Sequence, residues 1–110
     1  MTYEYRAVPV RVIDGDTVIV AIDLGFRTST QQTVRLLDVD TPERGKPNWG
    51  AAKAFVEAWL TEHPFLLLRS SKPNPRDKYQ RYIADIYCSL DAAWLNHAIR
   101  SSGYDLKETA

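Results

Sequence analysis

Three β-rich segments, separated by turn residues, occupy the first third of this chain, and one segment with helical spacing follows them. Two further β-rich segments and a second helical segment complete the pattern. In chain order the segments cover residues 8–13, 17–22, 33–39, 51–60, 65–69, 82–87 and 91–103. The apolar residues recur at helical spacing in the fourth and seventh segments. The order β-β-β-α-β-β-α is the feature that most restricts the fold.

Turn residues mark the boundaries of these segments. Asp14-Gly15 matches a two-residue hairpin turn, because both residues tolerate a positive φ. Residues 23–32 are polar and predict a longer hairpin tip, and Pro9 predicts an edge or a bend in the first strand. Asp91 is a candidate cap for the second helix, and Gly103 is suited to end it.

A mainly β domain with helices (α+β) is therefore expected. Five short strands with a helix between the third and the fourth fit the partly open barrel called the OB-fold, with the helix closing one end. An α+β sandwich of the same elements is the alternative. A chain of 110 residues suits a single domain, with the core within residues 8–103 and a polar tail at 104–110.

Composition limits the function classes. The formal net charge is zero, which argues against non-specific coating of DNA but allows a small, locally positive site. The single cysteine cannot form an internal disulfide. Neither a signal-peptide pattern nor an apolar run near ~20 residues is present. A cytoplasmic protein is expected, with secretion of a processed form as the alternative.

Two acidic turns carry the first chemical signal. Either one, Asp14-Gly15-Asp16-Thr17 or Asp40-Thr41-Pro42-Glu43, could be an ordinary turn. In the expected topology the first turn and the end of the third strand can lie side by side, so that Asp16 and Asp40 converge. Two adjacent carboxylates repel each other unless a cation lies between them. Oxygen ligands without His or Cys favour Ca²⁺ or Mg²⁺ over zinc.

Strand parity adds a condition. Alternate residues of a strand share one face, so Arg35 and Asp40 belong to opposite faces of a regular strand. Both can point into one site only if the strand bends, bulges or ends before Asp40. Pro42 favours such an ending.

Basic and acidic side chains around these turns have two interpretations each. Arg35 and Arg81 could cover apolar surface with their stems, or could clamp one phosphoryl group from two strands. Glu43 could be a solvated loop residue, or a base for a water molecule. Lys78 and Tyr79 could belong to a charged loop and a barrel rim, or could hold a neighbouring phosphate and stack on a base.

Four stretches taken together resemble the thermonuclease, or staphylococcal nuclease, family. They are residues 13–17, 34–43 and 77–81, and the pair 95–96 ahead of Gly103. The resemblance covers about residues 8–103. It implies an OB-fold, Ca²⁺ dependence, cleavage of phosphodiester bonds in DNA and RNA with a preference for single strands, and 3′-phosphate products.

The resemblance also implies roles for individual residues. Arg35, Glu43 and Arg81 correspond to the catalytic trio, with Glu43 as the general base and the two arginines on the scissile phosphate. The side chains of Asp16 and Asp40 and the backbone carbonyl of Thr41 correspond to calcium ligands. Lys78 and Tyr79 correspond to contacts with the other phosphate of the bound nucleotide.

The chain also departs from the family pattern. The hairpin tip at 23–32 is longer than in the familiar secreted members, the loop at 44–50 is shorter, and the third, C-terminal helix is missing. Loss of that helix would expose an apolar patch, so the oligomeric state is a monomer or a weak homodimer.

Three hypotheses follow from the sequence. The first is a metal-dependent nuclease, a hydrolase that uses the full set of residues above. The second is a catalytically idle OB-fold module that binds single-stranded nucleic acid or a protein partner. The third is a calcium-binding scaffold protein without a nucleic-acid role.

Overall fold

Three long strands come first in the described part of the chain, and two helices and three shorter strands follow them. The computed structural model describes residues 3–37, 39–70, 82–88 and 93–105. The elements are β1 (Tyr3–Asp14), β2 (Thr17–Gly25), β3 (Thr28–Leu36), α1 (Trp49–Glu62), β4 (Leu66–Ser70), β5 (Tyr82–Cys88), β6 (Ala93–Trp94) and α2 (Leu95–Ser102). No helix in these ranges is both long enough and apolar enough to cross a membrane.

Five of the strands close into a barrel. Antiparallel pairing joins β3, β2, β1, β4 and β5 in that order, and a parallel pairing of β3 with β5 closes the ring. This arrangement confirms the predicted five-stranded OB-fold barrel with two helices. The two-residue strand β6, which pairs with β5, was not predicted from the sequence.

The long strand β1 makes closure possible because it pairs with two different strands. Its first part, from Tyr3 to Ala7, pairs with β4, and its later part pairs with β2. The register with β2 shifts after Pro9 and again after Val12. Such bulges bend a strand and increase its twist, so the bend predicted at Pro9 is confirmed.

The barrel interior and the two helices share one apolar core. α1 packs against β1, and α2 packs against β5 and β6. The largest fully buried apolar side chains are Leu36, Ile86, Leu95 and Ile99. Burial of each such side chain contributes roughly 1.5–3 kcal/mol to the free energy of unfolding. The core therefore includes residues from both ends of the chain.

Hairpin geometry differs from the prediction at two places. The first turn consists of Gly15 and Asp16, because Asp14 pairs with Thr17, and neither turn residue lies in the left-handed region. The expectation of a positive φ at Asp14-Gly15 was therefore wrong. Glycine is needed at position 15 for another reason: a Cβ atom there would lie 2.8 Å from Thr41 Oγ1 and 3.0 Å from Ala52 Cβ.

The second hairpin has no long polar loop. β2 and β3 remain paired as far as Gly25 and Thr28, so only Phe26 and Arg27 form the turn. The prediction of a loop over 23–32 was wrong because the polar residues of this segment are strand residues. Both faces of the protruding hairpin reach solvent, and a strand in that position does not need apolar alternation.

α1 lies close to its predicted position, whereas α2 begins at Leu95, four residues after the start of the predicted segment, because Ala93 and Trp94 form β6. α1 starts at Trp49, two residues before the predicted segment, and ends before Pro64 as expected. Gly103 follows α2 with a φ of 90°, which confirms its predicted role in ending the helix. The residue before α2 is Trp94, and Asp91, the predicted cap, lies outside the described residues.

A buried asparagine ties α2 to the barrel. Asn96 donates a hydrogen bond from Nδ2 to the carbonyl of Leu37 at 2.9 Å, and its Oδ1 accepts the N–H of Ile86 at 3.1 Å. Leu37 in turn donates its N–H to the carbonyl of Ala84 at 3.0 Å. The backbone that leaves β3 is thus held by β5 and by α2 together.

Substitution of Gly15 tests the close approach at the first turn. We expect Gly15→Ala to lower the free energy of unfolding by about 1–3 kcal/mol, since the added methyl group overlaps Thr41 and Ala52. Urea denaturation gives the value. Gly50→Ala is the matched control, because a Cβ at this helical glycine meets no atom within 4 Å. It should leave stability unchanged or raise it by up to ~1 kcal/mol.

Substitution of Asn96 tests the tie between α2 and the barrel. Asn96→Leu keeps the approximate volume but leaves the Ile86 N–H and the Leu37 carbonyl without this partner, so we expect a loss of about 2–4 kcal/mol in urea denaturation. Ser101→Ala, on the exposed side of the same helix, should change stability by no more than about 0.5 kcal/mol. Equal stabilities for the two variants would contradict the assignment.

Candidate functional site

The guanidinium group of Arg35 is the centre of a polar cluster at the end of β3. Its Nη1 atom donates to the carbonyls of Leu36 and Val39, at 2.9 and 2.6 Å. Its Nη2 atom lies 3.5 Å from Asp16 Oδ2 and 3.6 Å from Asp40 Oδ1. The expected convergence of the two aspartates is therefore present, and a single cation, the guanidinium, lies between them.

Asp16 is the buried member of the cluster. Only 7% of the residue is exposed. Its Oδ2 accepts the backbone N–H of Thr41 and its Oδ1 accepts the hydroxyl of Thr17, both at 3.0 Å. The carbonyl of Asp16 also accepts the N–H of Leu36 at 2.8 Å. A buried carboxylate needs such partners, and here they join the first turn to the segment after β3.

Asp40 is the accessible member. Its side chain is 48% exposed, whereas that of Asp16 is 9% exposed. Its backbone N–H donates to Asp105 Oδ1 at 3.0 Å, and Asp105 is completely buried. The main chain at Asp40 is therefore fixed while its carboxylate faces solvent.

The parity condition is met by the end of the strand. β3 ends at Leu36, so Leu37 and Val39 no longer follow strand alternation. The carbonyls of Leu36 and Val39 both turn toward the guanidinium of Arg35. The expectation that the strand ends before Asp40 is confirmed, and this ending lets Arg35 and Asp40 meet.

The first turn is also seated on the start of α1. The indole Nε1 of Trp49 donates to Asp14 Oδ1 at 2.6 Å. Gly15 lies against Thr41 and Ala52, and the buried Thr41 Oγ1 has no hydrogen-bond partner within the described ranges. The acidic turn, the segment after β3 and α1 therefore share one contact region.

The other predicted site residues are Glu43, Lys78, Tyr79 and Arg81. Glu43 lies three residues beyond Asp40 and its side chain is exposed, with no hydrogen bond or ion pair in the part of the chain that the structure describes. Its carbonyl accepts the N–H of Lys46 at 3.0 Å. Lys78, Tyr79 and Arg81 lie outside the described residues.

Two residues that hold the cluster in place were not identified from the sequence as contributors to the site. Asp105 belongs to the segment that the sequence indicates as a polar tail, and Asn96 is one polar residue on a mostly apolar helix face. Each of them bonds to a backbone group more than 55 residues away, Leu37 for Asn96 and Asp40 for Asp105. No local pattern reports such a contact.

The donor set fits a hard cation. Among the described residues, the carboxylates of Asp16 and Asp40 against the guanidinium of Arg35 leave one net negative charge, and the exposed carboxylate of Asp40 is accessible to an ion from solvent. No group of three or more His, Cys, Asp or Glu side chains in the described ranges could hold a metal. An ion bound here would need backbone oxygens and water as further ligands, which suits Ca²⁺ better than zinc.

Comparisons with known proteins give relatives for most of the chain. The family model described as staphylococcal nuclease homologue matches residues 33–107. The thermonuclease of Staphylococcus intermedius is 40% identical over an alignment of 83 residues that covers 70% of this chain and 45% of that protein. The thermonuclease of Staphylococcus hyicus is 37% identical over an alignment of 100 residues that covers 86% of this chain and 54% of that protein.

A relative from a third species is named as an endonuclease. Endonuclease YncB of Bacillus subtilis is 38% identical over 82 residues, 70% of this chain and 36% of that protein. The chain thus spans about half the length, or less, of these curated relatives. The family model nevertheless covers more than half of the chain and includes the end of β3, α1, β5 and α2. This chain belongs to the staphylococcal nuclease homologue family.

Proposed function

We propose that this protein is a Ca²⁺-dependent nuclease that hydrolyses phosphodiester bonds in DNA and RNA, prefers single strands and leaves 3′-phosphate ends. Relatives named thermonuclease and endonuclease support the reaction class. The resemblance of residues 34–43 and 77–81 to the thermonuclease family supports the product and the metal. Because the chain spans about half of those relatives, the activity of this chain is a proposal to be tested directly.

The observation that carries the proposal is the arrangement around Arg35. One guanidinium lies 3.5 Å from a buried carboxylate and 3.6 Å from an exposed one. A merely structural ion pair needs only one carboxylate, and the second adds net negative charge in a position open to solvent. Such a cluster suits the joint binding of a cation and a phosphate, since each neutralises charge that the other brings.

Calcium ligands in this proposal are the side chains of Asp16 and Asp40 and the backbone carbonyl of Thr41. A bound Ca²⁺ ion would supply positive charge for a phosphate oxygen and would lower the pKa of an associated water. Asp16 is held by the Thr41 N–H and the Thr17 hydroxyl, so its orientation does not depend on the ion. Preorganised ligands of this kind lose little entropy when a cation binds.

The remaining residues act on the substrate. In the proposed reaction Glu43 accepts a proton from the attacking water, whose oxygen forms a bond to phosphorus while the bond from phosphorus to the 5′ oxygen breaks. Arg35 and Arg81 donate hydrogen bonds to the phosphate oxygens, on which negative charge increases during attack. The leaving 5′ oxygen takes a proton from solvent, so the products are a 3′-phosphate and a 5′-hydroxyl. An exposed Glu43 is free to reach a water near the phosphate.

Lys78 and Tyr79 extend the site beyond the scissile phosphate. We assign them to the neighbouring phosphate of the bound strand, with Tyr79 also available for stacking on a base. Stacking requires an unpaired base, which agrees with a preference for single strands.

A cleavage assay tests the function. The purified chain is incubated with denatured DNA and Ca²⁺, and with the same mixture plus a chelator. We expect cleavage that the chelator abolishes, and a 10²–10⁴-fold lower turnover for Glu43→Gln, the order expected for loss of a general base. Circular dichroism should be unchanged for this variant, since Glu43 is exposed.

The outcomes separate the hypotheses. Binding of the strand without cleavage would support the idle OB-fold module, and Ca²⁺ binding without affinity for nucleic acid would support a calcium scaffold. Turnover unchanged in Glu43→Gln would remove this residue from the mechanism while leaving the nuclease assignment intact.

Calorimetric titration with Ca²⁺ tests the proposed ligands separately from activity. Asp16→Asn removes one negative charge but keeps an oxygen for the Thr41 N–H, so the fold should persist. We expect the affinity for Ca²⁺ to fall about tenfold or more, because affinity at such sites follows ligand charge. Asp23→Asn, which changes an exposed carboxylate on β2, is the control and should bind like the unaltered chain. Equal affinity for the two variants would show that the ion binds elsewhere.

A further inference from the structure

The tip of the β2–β3 hairpin presents an aromatic ring and a guanidinium together. Phe26 is fully exposed, and Arg27 follows it in the same two-residue turn. Hydrogen bonds connect residues of the tip: Asp23 Oδ1 accepts the N–H of Gly25 at 2.8 Å, and the hydroxyl of Thr28 donates to the carbonyl of Phe26 at 3.5 Å. The ring is therefore held out from the barrel on a defined turn.

This turn is an unfavourable one for its residues. Gly25, Phe26 and Arg27 lie consecutively in the left-handed region, with φ of 80°, 53° and 64°. Asn and Gly are the residues that normally occupy such turns, because a side chain with a bulky Cβ substituent is strained there. Exposure of a whole phenyl ring adds a second cost without any gain in packing. Costs of this kind are typical of positions that bind a ligand.

One face of β3 connects the tip to Arg35. Ser29, Gln31 and Thr33 alternate with buried or inward-facing residues and therefore share the face of Arg35. All three side chains are uncharged and can donate and accept hydrogen bonds. The distance along the strand from Thr28 to Arg35 is about 23 Å at the usual rise per residue. An OB-fold binds on the order of 4–16 nucleotides, so a bound strand is long enough to extend from Arg35 to the tip.

We propose that the β2–β3 hairpin is a substrate arm that binds single-stranded nucleic acid several nucleotides away from the Arg35 cluster. Phe26 stacks on an unpaired base, Arg27 contacts a phosphate, and the polar side chains of β3 line the path between them. The inference rests on the proposed function, because that function supplies the strand that the arm holds. The β3 side chains between the tip and Arg35 are polar, which suits a nucleic-acid strand, and self-association through Phe26 and Leu24 is the competing occupant.

Binding measurements with strands of two lengths test the arm. The full chain carries Glu43→Gln so that the strand remains intact, and fluorescence anisotropy reports binding of a labelled 12-nucleotide strand and of a dinucleotide in the presence of Ca²⁺. We expect Phe26→Leu to weaken binding of the 12-nucleotide strand roughly 5- to 100-fold, the range for losing one base stack, and to leave dinucleotide binding unchanged. Phe26→Trp keeps an aromatic ring and should retain the affinity.

Two controls make the test specific. Val10→Ala shortens a half-exposed apolar side chain on β1, outside the hairpin, and should bind both strands normally. Sedimentation of each variant reports the oligomeric state. Since Phe26 is fully exposed, Phe26→Leu should fold like the unaltered chain.

Three results would overturn the arm: equal affinity of Phe26→Leu for the long strand, an equal loss for both lengths, or a change from dimer to monomer that accounts for the loss. The third would assign the tip to self-association. Failure of the proposed function is distinguishable, because a chain that never cleaves DNA can still show the length-dependent loss. If Phe26→Leu cleaves long strands as fast as the unaltered chain, the nuclease assignment stands and the substrate arm is contradicted.

Discussion

The buried carboxylate of Asp16 is the interaction on which the geometry of the site depends. It accepts a backbone N–H from Thr41 and a hydroxyl from Thr17, and it lies against the guanidinium of Arg35. A buried charge without partners would cost several kcal/mol, so the surrounding groups are held in the positions that satisfy it. Three parts of the chain, the first turn, β3 and the segment after β3, are brought to one point in this way.

The two carboxylates of the cluster differ in their exposure to solvent. Asp16 is fixed and nearly inaccessible, while the carboxylate of Asp40 is open to solvent on a backbone that Asp105 holds. In the proposed calcium site the fixed carboxylate would define the ligand geometry, and the open one would give the ion access from solvent. One guanidinium nitrogen of Arg35 lies near both carboxylates, and the other donates to the carbonyls of Leu36 and Val39.

The frame of this site extends to the far end of the sequence. Asn96, which lies on α2, donates a hydrogen bond to the carbonyl of Leu37 just after β3, and Asp105 accepts the backbone N–H of Asp40. Both are buried polar residues whose partners are main-chain groups, and an unsatisfied group in either place would cost about 1–3 kcal/mol. The geometry near Arg35 therefore depends on α2 and the residues after it, not only on the barrel strands. Substrate contacts on the protruding hairpin need no such frame, since β2 and β3 support each other.

The sequence by itself determined the order of the elements apart from β6, the barrel, the C-terminal ends of α1 and α2, and the meeting of two acidic turns near Arg35. These follow from local propensity, from turn residues and from the short connections of a closed barrel. Only the tertiary structure decided that β3 ends at Leu36, that Gly15 is required by Thr41 rather than by its own φ, and that Asn96 and Asp105 hold the cluster. The physical reason is that close packing and buried hydrogen bonds join residues far apart in the chain, and no sequence period records those contacts.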